Sequence, residues 1–358
     1  MKLIHVNGRA AALVLLINSI ALHGGGSGKL QPAETITTTV GVVVAPTTVQ
    51  THSGKFMRSL QLSDFEIYDN GRLQEISDDQ RDSPFSLVVA IQRSADMQGM
   101  LPMIEKIGPV LTDLIAGANG EIALIAFDHN VELVQSFTSD SDKVCQSMKR
   151  LRPGGYSHAV VDAVTQSIRM LKDRPPERRR VVLVISEKWD KGSAGSLREA
   201  LTEAEFANVS IYSFNVSTAQ AQLTSRPQPQ PPPLFPTTAY SIPAGAPLTP
   251  TTIDQNYYLG NWIPLFVDIF QEVADLTGEN TLEVFTRFTG GEGYSFDSNE
   301  TLDVALQKLN EELHAQYLLS YAPNNLDEGG FHEIKVVVHH PYAKVRTRAG
   351  YWIAATAK

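Results

Sequence analysis

The sequence predicts an α/β domain with a doubly wound, mostly parallel sheet, inserted in a small β-sandwich formed by the N- and C-terminal segments. Three observations lead there. Residues 86–91, 122–127, 181–185 and 209–214 are short, almost wholly apolar runs, the mark of strands buried on both faces. Stretches of helical period separate most of these runs, and strands alternating with helices imply βαβ units. Residues 35–80 and 316–352 are β-rich instead. An inserted domain needs its own ends close together, which two β-rich segments meeting in space provide.

The elements follow in order. Residues 1–28 place Lys2 and Arg9 in a basic stretch ahead of an apolar run at 10–17, with Ser19 and Ala21 as a small-x-small pair. This is the make-up of a signal peptide or, if uncleaved, an N-terminal anchor with a glycine-rich spacer. Residues 30–83 form the N-terminal β-rich segment, where "FEIYDNGRLQEI" alternates around the turn signal Asp69-Asn70-Gly71. The α/β domain spans 84–315. In it, 100–116, 159–171 and 197–206 read as helices, and "DHNVELVQSFTSD" as a turn and an antiparallel edge strand. The insertion 218–254 holds nine of the twenty prolines, too many to supply ladder donors, and reads as a surface loop. Helices resume at 262–276 and 282–288, the second stopped by Gly290-Gly291, and "GYSFD" is a short strand. Residues 301–314 are amphipathic, with Leu302, Leu306, Leu309 and Leu313 on one face and Asp303, Glu311 and Glu312 on the other. The segment 316–354 supplies the closing strands of the β-rich unit.

The balance of the chain excludes several classes. A net charge of -9 argues against nucleic acid, which requires a basic surface, and Arg178-Arg179-Arg180 reads as the solvated start of a strand. The single cysteine, Cys145, excludes an intrachain disulfide framework and a Cys-based zinc site. "GGGSGK" at 24–29 is no phosphate loop, because His23 and Leu30 stand where Gly and Ser/Thr belong.

The stretch "SLVVAIQRSADM", residues 86–97, ends an apolar run in polar residues, where open α/β sheets bind ligands. With "LSDFEIYDNGRLQEI", "EIALIAFDHNVELVQSFTSD", "LRPGGYSHAVVDAV", "VVLVISEKWDKGS", "TRFTGGEGYSF", "EELHAQYLLSYAP" and "VRTRAGYW" it forms an ordered series over residues 36–352. In this series the chain resembles the secreted von Willebrand factor type A-related proteins found mainly in acidobacteria. The resemblance implies a Rossmann-like domain with a metal-ion-dependent adhesion site, used for protein binding rather than catalysis. Such a site joins an Asp-x-Ser-x-Ser loop, a Thr from a second loop and an Asp from a third. Magnesium takes a near-octahedral shell of oxygens including one or two carboxylates, and a partner's carboxylate completes it.

Carried over residue by residue, the pattern is degenerate. Gln92 stands for the first Asp, Ser94 matches a Ser, and Asp96 stands for the second Ser. Ser157 or His158 replaces the Thr, according to where a one-residue gap falls, and Glu187 replaces the last Asp. Gln92, Ser94, Asp96, Ser157 and Glu187 are therefore the metal candidates, for Mg²⁺ or another divalent cation, while His158 suits a transition metal better. A neutral amide is a weak magnesium ligand, and Arg93 beside it adds repulsion. The competing reading has these side chains hydrogen-bonding one another, with Asp96 as a helix cap. Arg93, Tyr156, His158, Lys188, Trp189 and Asp190 share these loops and are the partner-binding candidates, since Trp, Tyr and Arg are common interface anchors.

No enzyme is expected. No G-x-S-x-G elbow or H-E-x-x-H is present, and no G-x-G-x-x-G follows a strand. The expectation is a secreted, periplasmic or envelope-associated interaction module with a degenerate metal site and no cofactor. Its partner is an unknown protein engaged through an acidic residue, and it meets a membrane only through an uncleaved N-terminal segment. The alternative is a Mg²⁺- or Mn²⁺-dependent binder with a non-standard site, or, further off, a hydrolase.

Overall fold

The computed structural model describes residues 42–79, 82–116, 119–216, 280–341 and 343–353. The signal-like segment 1–28, the Pro-rich insertion 218–254 and the expected helix at 262–276 lie outside the described residues.

Four strands precede the α/β middle: β1 (Val43–Gln50), β2 (Phe65–Asp69), β3 (Arg72–Gln74) and β4 (Ile76–Asp79). Asn70 and Gly71 both take positive φ, the demand of a two-residue hairpin turn, and Asp69 pairs with Arg72 across it. The middle contributes β5 (Phe85–Gln92), β6 (Glu121–Phe127), β7 (Val131–Thr138), β8 (Arg179–Ser186), β9 (Val209–Val216) and β10 (Gly293–Phe296). They form one sheet in the order β10-β9-β8-β5-β6-β7. All its pairings are parallel except that of β7, the antiparallel edge.

Both faces are covered, as a parallel sheet requires. Helices α1 (Leu101–Ile104), α2 (Ile107–Ala116), α3 (Ser141–Lys149), α4 (Val160–Lys172), α5 (Leu197–Phe206), α6 (Thr281–Thr289) and α7 (Asn299–Leu313) divide between them. Alternation along β5 sends Leu87, Val89 and Ile91 into a core with α1, α2, α3 and α7, and Val88 and Ala90 into one with α4, α5 and α6. The single helix expected over 100–116 is two. Pro109 has no N–H for the Glu105 carbonyl, and its ring clashes there, so the helix restarts at Ile107.

The tail adds β11 (Tyr317–Tyr321), β12 (Gly330–Val338), β13 (Lys344–Arg346) and β14 (Gly350–Ile353). These strands interleave with the first four in two antiparallel sheets, β13-β1-β11-β4 and β14-β12-β2-β3. Their inner faces share one core of Val43, Ala45, Ile67, Tyr317, Leu319, Ile334 and Val336, with the Phe65 and Tyr317 rings 4.9 Å apart. Beneath it lies a polar node. Buried Asp69 of β2 accepts hydrogen bonds from Tyr321 Oη (2.9 Å), Tyr351 Oη (2.6 Å), Asn325 Nδ2 (2.9 Å) and His332 Nδ1 (2.6 Å), all from the tail.

Two charged groups depart from expectation. Glu312 is buried rather than on a solvent face, since its carboxylate accepts from Tyr294 Oη (2.8 Å) and from Arg346. The run Arg178-Arg179-Arg180 is not solvated. Arg179 is buried and donates to the Leu313 carbonyl (2.8 Å) and Gln316 (3.0 Å), and Arg180 donates to the Ala207 carbonyl (2.8 Å). Leu313 and Ala207 lie at the C-terminal ends of α7 and α5, where carbonyls lack helical partners and cations are favoured.

Candidate functional site

The parallel strands β5, β6 and β8 end side by side, at Gln92, Phe127 and Ser186, and the loops that follow bring the candidate residues together. Backbone bonds stitch these loops into one surface. Arg93 N donates to Phe127 O (2.8 Å), Gly154 N to Arg93 O (2.7 Å), and Ala95 N to Gly155 O (2.7 Å). On the other side, an isolated antiparallel bridge joins His158 to Lys191.

Asp128, which the sequence reading passed over, anchors this arrangement. It is buried directly after β6, accepting from Asn130 N (2.8 Å) and Gly155 N (2.9 Å), with Arg93 Nε at 3.7 Å. Burial alone would raise its pKa, but the two amides, the Arg93 cation and the neighbouring His129 outweigh it and hold the carboxyl below its ordinary value. A Cβ at Gly154 would lie 2.0 Å from Asp128 Oδ2, so the Gly-Gly of "LRPGGYS" lets the loop close over this carboxylate. An Asp immediately after an apolar strand was the signal available in the sequence.

Beneath the loops Gln92, Ser94 and Glu187 meet, all three buried. Glu187 N donates to Gln92 Oε1 at 2.9 Å. That backbone donor fixes which end of the amide is oxygen. The amide nitrogen is thereby turned to the other side, where it donates to Ser94 Oγ (2.7 Å) and Glu187 Oε2 (3.2 Å). His158 lies against the same carboxylate, its Nε2 3.8 Å from Glu187 Oε2 and beyond hydrogen-bond reach. Burial holds the imidazole below its ordinary pKa against the pull of Glu187.

The remaining candidates go elsewhere. The Ser157 hydroxyl donates to the Lys191 carbonyl. Asp96 sits half-buried inside a 3₁₀ turn, Ala95–Met97, rather than at a helix N-cap. Two partner-binding candidates need correction. His158 is wholly buried and presents nothing to a partner. Asp190 turns inward: Oδ1 accepts from Val161 N in the first turn of α4 (3.1 Å) and from Ser193 Oγ (2.6 Å), and Oδ2 accepts from Ser193 N (3.2 Å). Arg93 is half-buried and paired with Glu132 at 2.7 Å. Tyr156, Lys188 and Trp189 are exposed, the two aromatics by 42% and 36%.

The residues do not fit a magnesium-type ion. Glu187 Oε1, which has no hydrogen-bond partner among the described residues, is the one oxygen that invites a cation. Ser94 Oγ and Glu187 Oε2, which an ion would also need, both accept from the Gln92 amide. The Ser157 hydroxyl is spent on backbone, and His158 supplies nitrogen where a hard ion wants oxygen. Among the described residues no cluster of three or more His, Cys, Asp or Glu side chains has metal-binding geometry, and no helix is long and apolar enough to cross a membrane.

Residues 87–189 match the family model for the von Willebrand factor type A domain. Among solved structures the chain is similar to a von Willebrand factor type A protein from Catenulispora acidiphila, at 9% identity over 88% of this chain and 64% of that one, with a TM-score of 0.44. It is also similar to the conserved hypothetical protein BatB from Bacteroides thetaiotaomicron, at 16% identity over 64% of this chain and 98% of that one (TM-score 0.38). A third is the vWF domain of the type V pili tip protein Mfa5 from Porphyromonas gingivalis, at 11% identity over 40% and 86% (TM-score 0.32). No curated protein matches the chain.

Proposed function

From the match of residues 87–189 to the von Willebrand factor type A family model, we propose that the α/β middle of this chain is such a domain and that the protein is a non-catalytic interaction module whose binding loops are held together without a metal ion. One observation carries the reading: the Gln92 amide nitrogen donates to both Ser94 Oγ and Glu187 Oε2. In a metal-dependent site those oxygens face a cation. Here an N–H₂ group supplies the positive end of the interaction and ties the first loop to the third. The exposed Tyr156, Lys188 and Trp189 above this network are the contact residues of the module.

The same reading takes the domain, at 84–315, as an insertion in the β-rich unit of 30–83 and 316–354. It places the protein outside the cytoplasm on the make-up of residues 1–28. Titration of the purified chain with Mg²⁺, Mn²⁺ and Zn²⁺ in a calorimeter tests the central claim. No saturable heat is expected. Stoichiometric binding of any of the three that disappears in Glu187→Gln would overturn it.

A further inference from the structure

Resting on the metal-free reading, we propose that the loop surface above Gln92 binds an extended acidic segment of a partner protein, through cations and aromatic rings rather than through an ion. The sign of the surface supports this. The chain carries a net charge of -9, yet the exposed cations on these loops are Lys188, Lys191 and Arg152, the last also donating to the carbonyls of Lys149 (3.1 Å) and Leu151 (2.8 Å).

The nearby carboxylates are turned inward or paired. Asp128 and Glu187 are buried, and Asp190 is committed to the amides of Val161 and Ser193. Asp162 caps the N–H groups of Ala194 (2.9 Å) and Gly195 (2.8 Å). Glu132, though exposed, is held by Arg93 at 2.7 Å, and Asp96 is half-buried. These loops thus expose three cations, Arg152, Lys188 and Lys191, on the same segments as Tyr156 and Trp189.

The loops that carry these groups are fixed relative to one another. The bridge from His158 to Lys191 joins the loop bearing Tyr156 to the loop bearing Lys188 and Trp189, and the bonds of Gly154 and Gly155 tie the first of these to the loop that follows β5, at Arg93 and Ala95. A prearranged surface spends little conformational entropy on binding. Cations at its edge steer and select an oppositely charged partner, while buried aromatic area supplies affinity. An extended segment with carboxylates flanking an apolar residue matches that layout.

The test uses the full chain and three short fluorescein-labelled peptides of one length, each with a central Phe: a Glu-rich peptide, its Gln counterpart and its Lys counterpart. Binding is read by fluorescence anisotropy at low and high salt, with and without EDTA. The Glu-rich peptide is expected to bind roughly tenfold or more tightly than the Gln peptide, to weaken with salt and to be indifferent to EDTA. The paired variant Lys188→Glu and Lys191→Glu, on exposed side chains, is expected to keep the thermal midpoint and reverse the preference toward the Lys peptide. Trp189→Ala is expected to weaken all three. Equal binding of Glu and Gln peptides, absence of binding to the Glu peptide, or an unchanged preference in the charge-reversed variant would overturn the proposal. Loss of binding with EDTA would instead overturn the metal-free reading on which it rests.

Discussion

Gln92→Glu asks whether an N–H donor takes the place of an ion in this domain. The substitution keeps the length and shape of the side chain and changes only what faces Glu187 Oε2, now 3.2 Å from the amide nitrogen. An ionised Glu at position 92 sets two carboxylates against each other with charge centres roughly 4 Å apart. At an effective dielectric near 20 the repulsion is about 4 kcal/mol, or about three units of pKa. The folded protein escapes it by holding one proton on the pair, because two carboxylates at this distance do not both ionise. A protonated Glu at position 92 donates O–H to Glu187 much as the amide donates N–H. At pH 5 the variant is therefore expected to lose only about 1 kcal/mol, and at pH 8 about 4 kcal/mol, where holding that proton is expensive. Urea unfolding of both proteins at each pH measures the difference, and groups common to the two cancel. A variant as stable as wild type at pH 8, or a loss independent of pH, would refute the bond on which the metal-free reading stands.

Two further perturbations probe the frame around the site. Asp69→Ala removes the shared acceptor of Tyr321, Tyr351, Asn325 and His332 and leaves buried donors unpaired. A loss of at least about 4 kcal/mol is expected in denaturant unfolding, with loss of the near-ultraviolet tyrosine signal, and a loss under about 1 kcal/mol would deny the node its role. Glu205 of α5 is buried near Arg348, and burial raises its carboxyl to about 7 from 4.5, against the pull of that arginine. The folded state thus prefers the neutral acid. Its contribution is full below about pH 4.5 and is lost as pH rises through about 7, reaching about 3 kcal/mol by pH 8. Glu205→Gln is therefore expected to be more stable than wild type at pH 8 and equal to it at pH 4.5, and a pH-independent difference would contradict the shift.

The central sheet was legible because burial on both faces leaves an unbroken apolar run that no loop imitates. The hairpin at Asn70-Gly71 was legible for an equally local reason, positive φ at both turn residues. Apart from the helix that Pro109 divides, the misread charged groups share one cause, which is pairing with other elements of the chain. Glu312 looks solvent-facing on a helical wheel and is buried because Tyr294 and Arg346 reach it from other elements. Arg179 looks like surface and instead closes the end of a helix that finishes at Leu313. At the site, position pointed to Gln92, Ser94 and Glu187, but not to the direction of the Gln92 amide. That depends on the backbone N–H of Glu187, ninety-five residues away. His158 and Asp190 were misplaced for the same reason, since a loop's sequence does not say which of its polar residues turn inward.

That inward and outward division bears on how such a surface can change its partner. An ion shared between loop and ligand makes the same groups serve stability and recognition, so altering one alters the other. On the metal-free reading the two are separated. The side chains that hold the loops, Gln92, Asp128, Glu187 and Asp190, make their bonds within the domain. Those left on the rim, Arg152, Tyr156, Lys188, Trp189 and Lys191, are exposed. Substitutions at exposed positions change folding stability by only about 0.5 kcal/mol in either direction, whereas a reversed rim charge changes which partner is accepted. On the metal-free reading proposed above, an amide standing where an ion would sit leaves the scaffold fixed and the rim open to substitution, without a demand that every partner present a carboxylate to a metal.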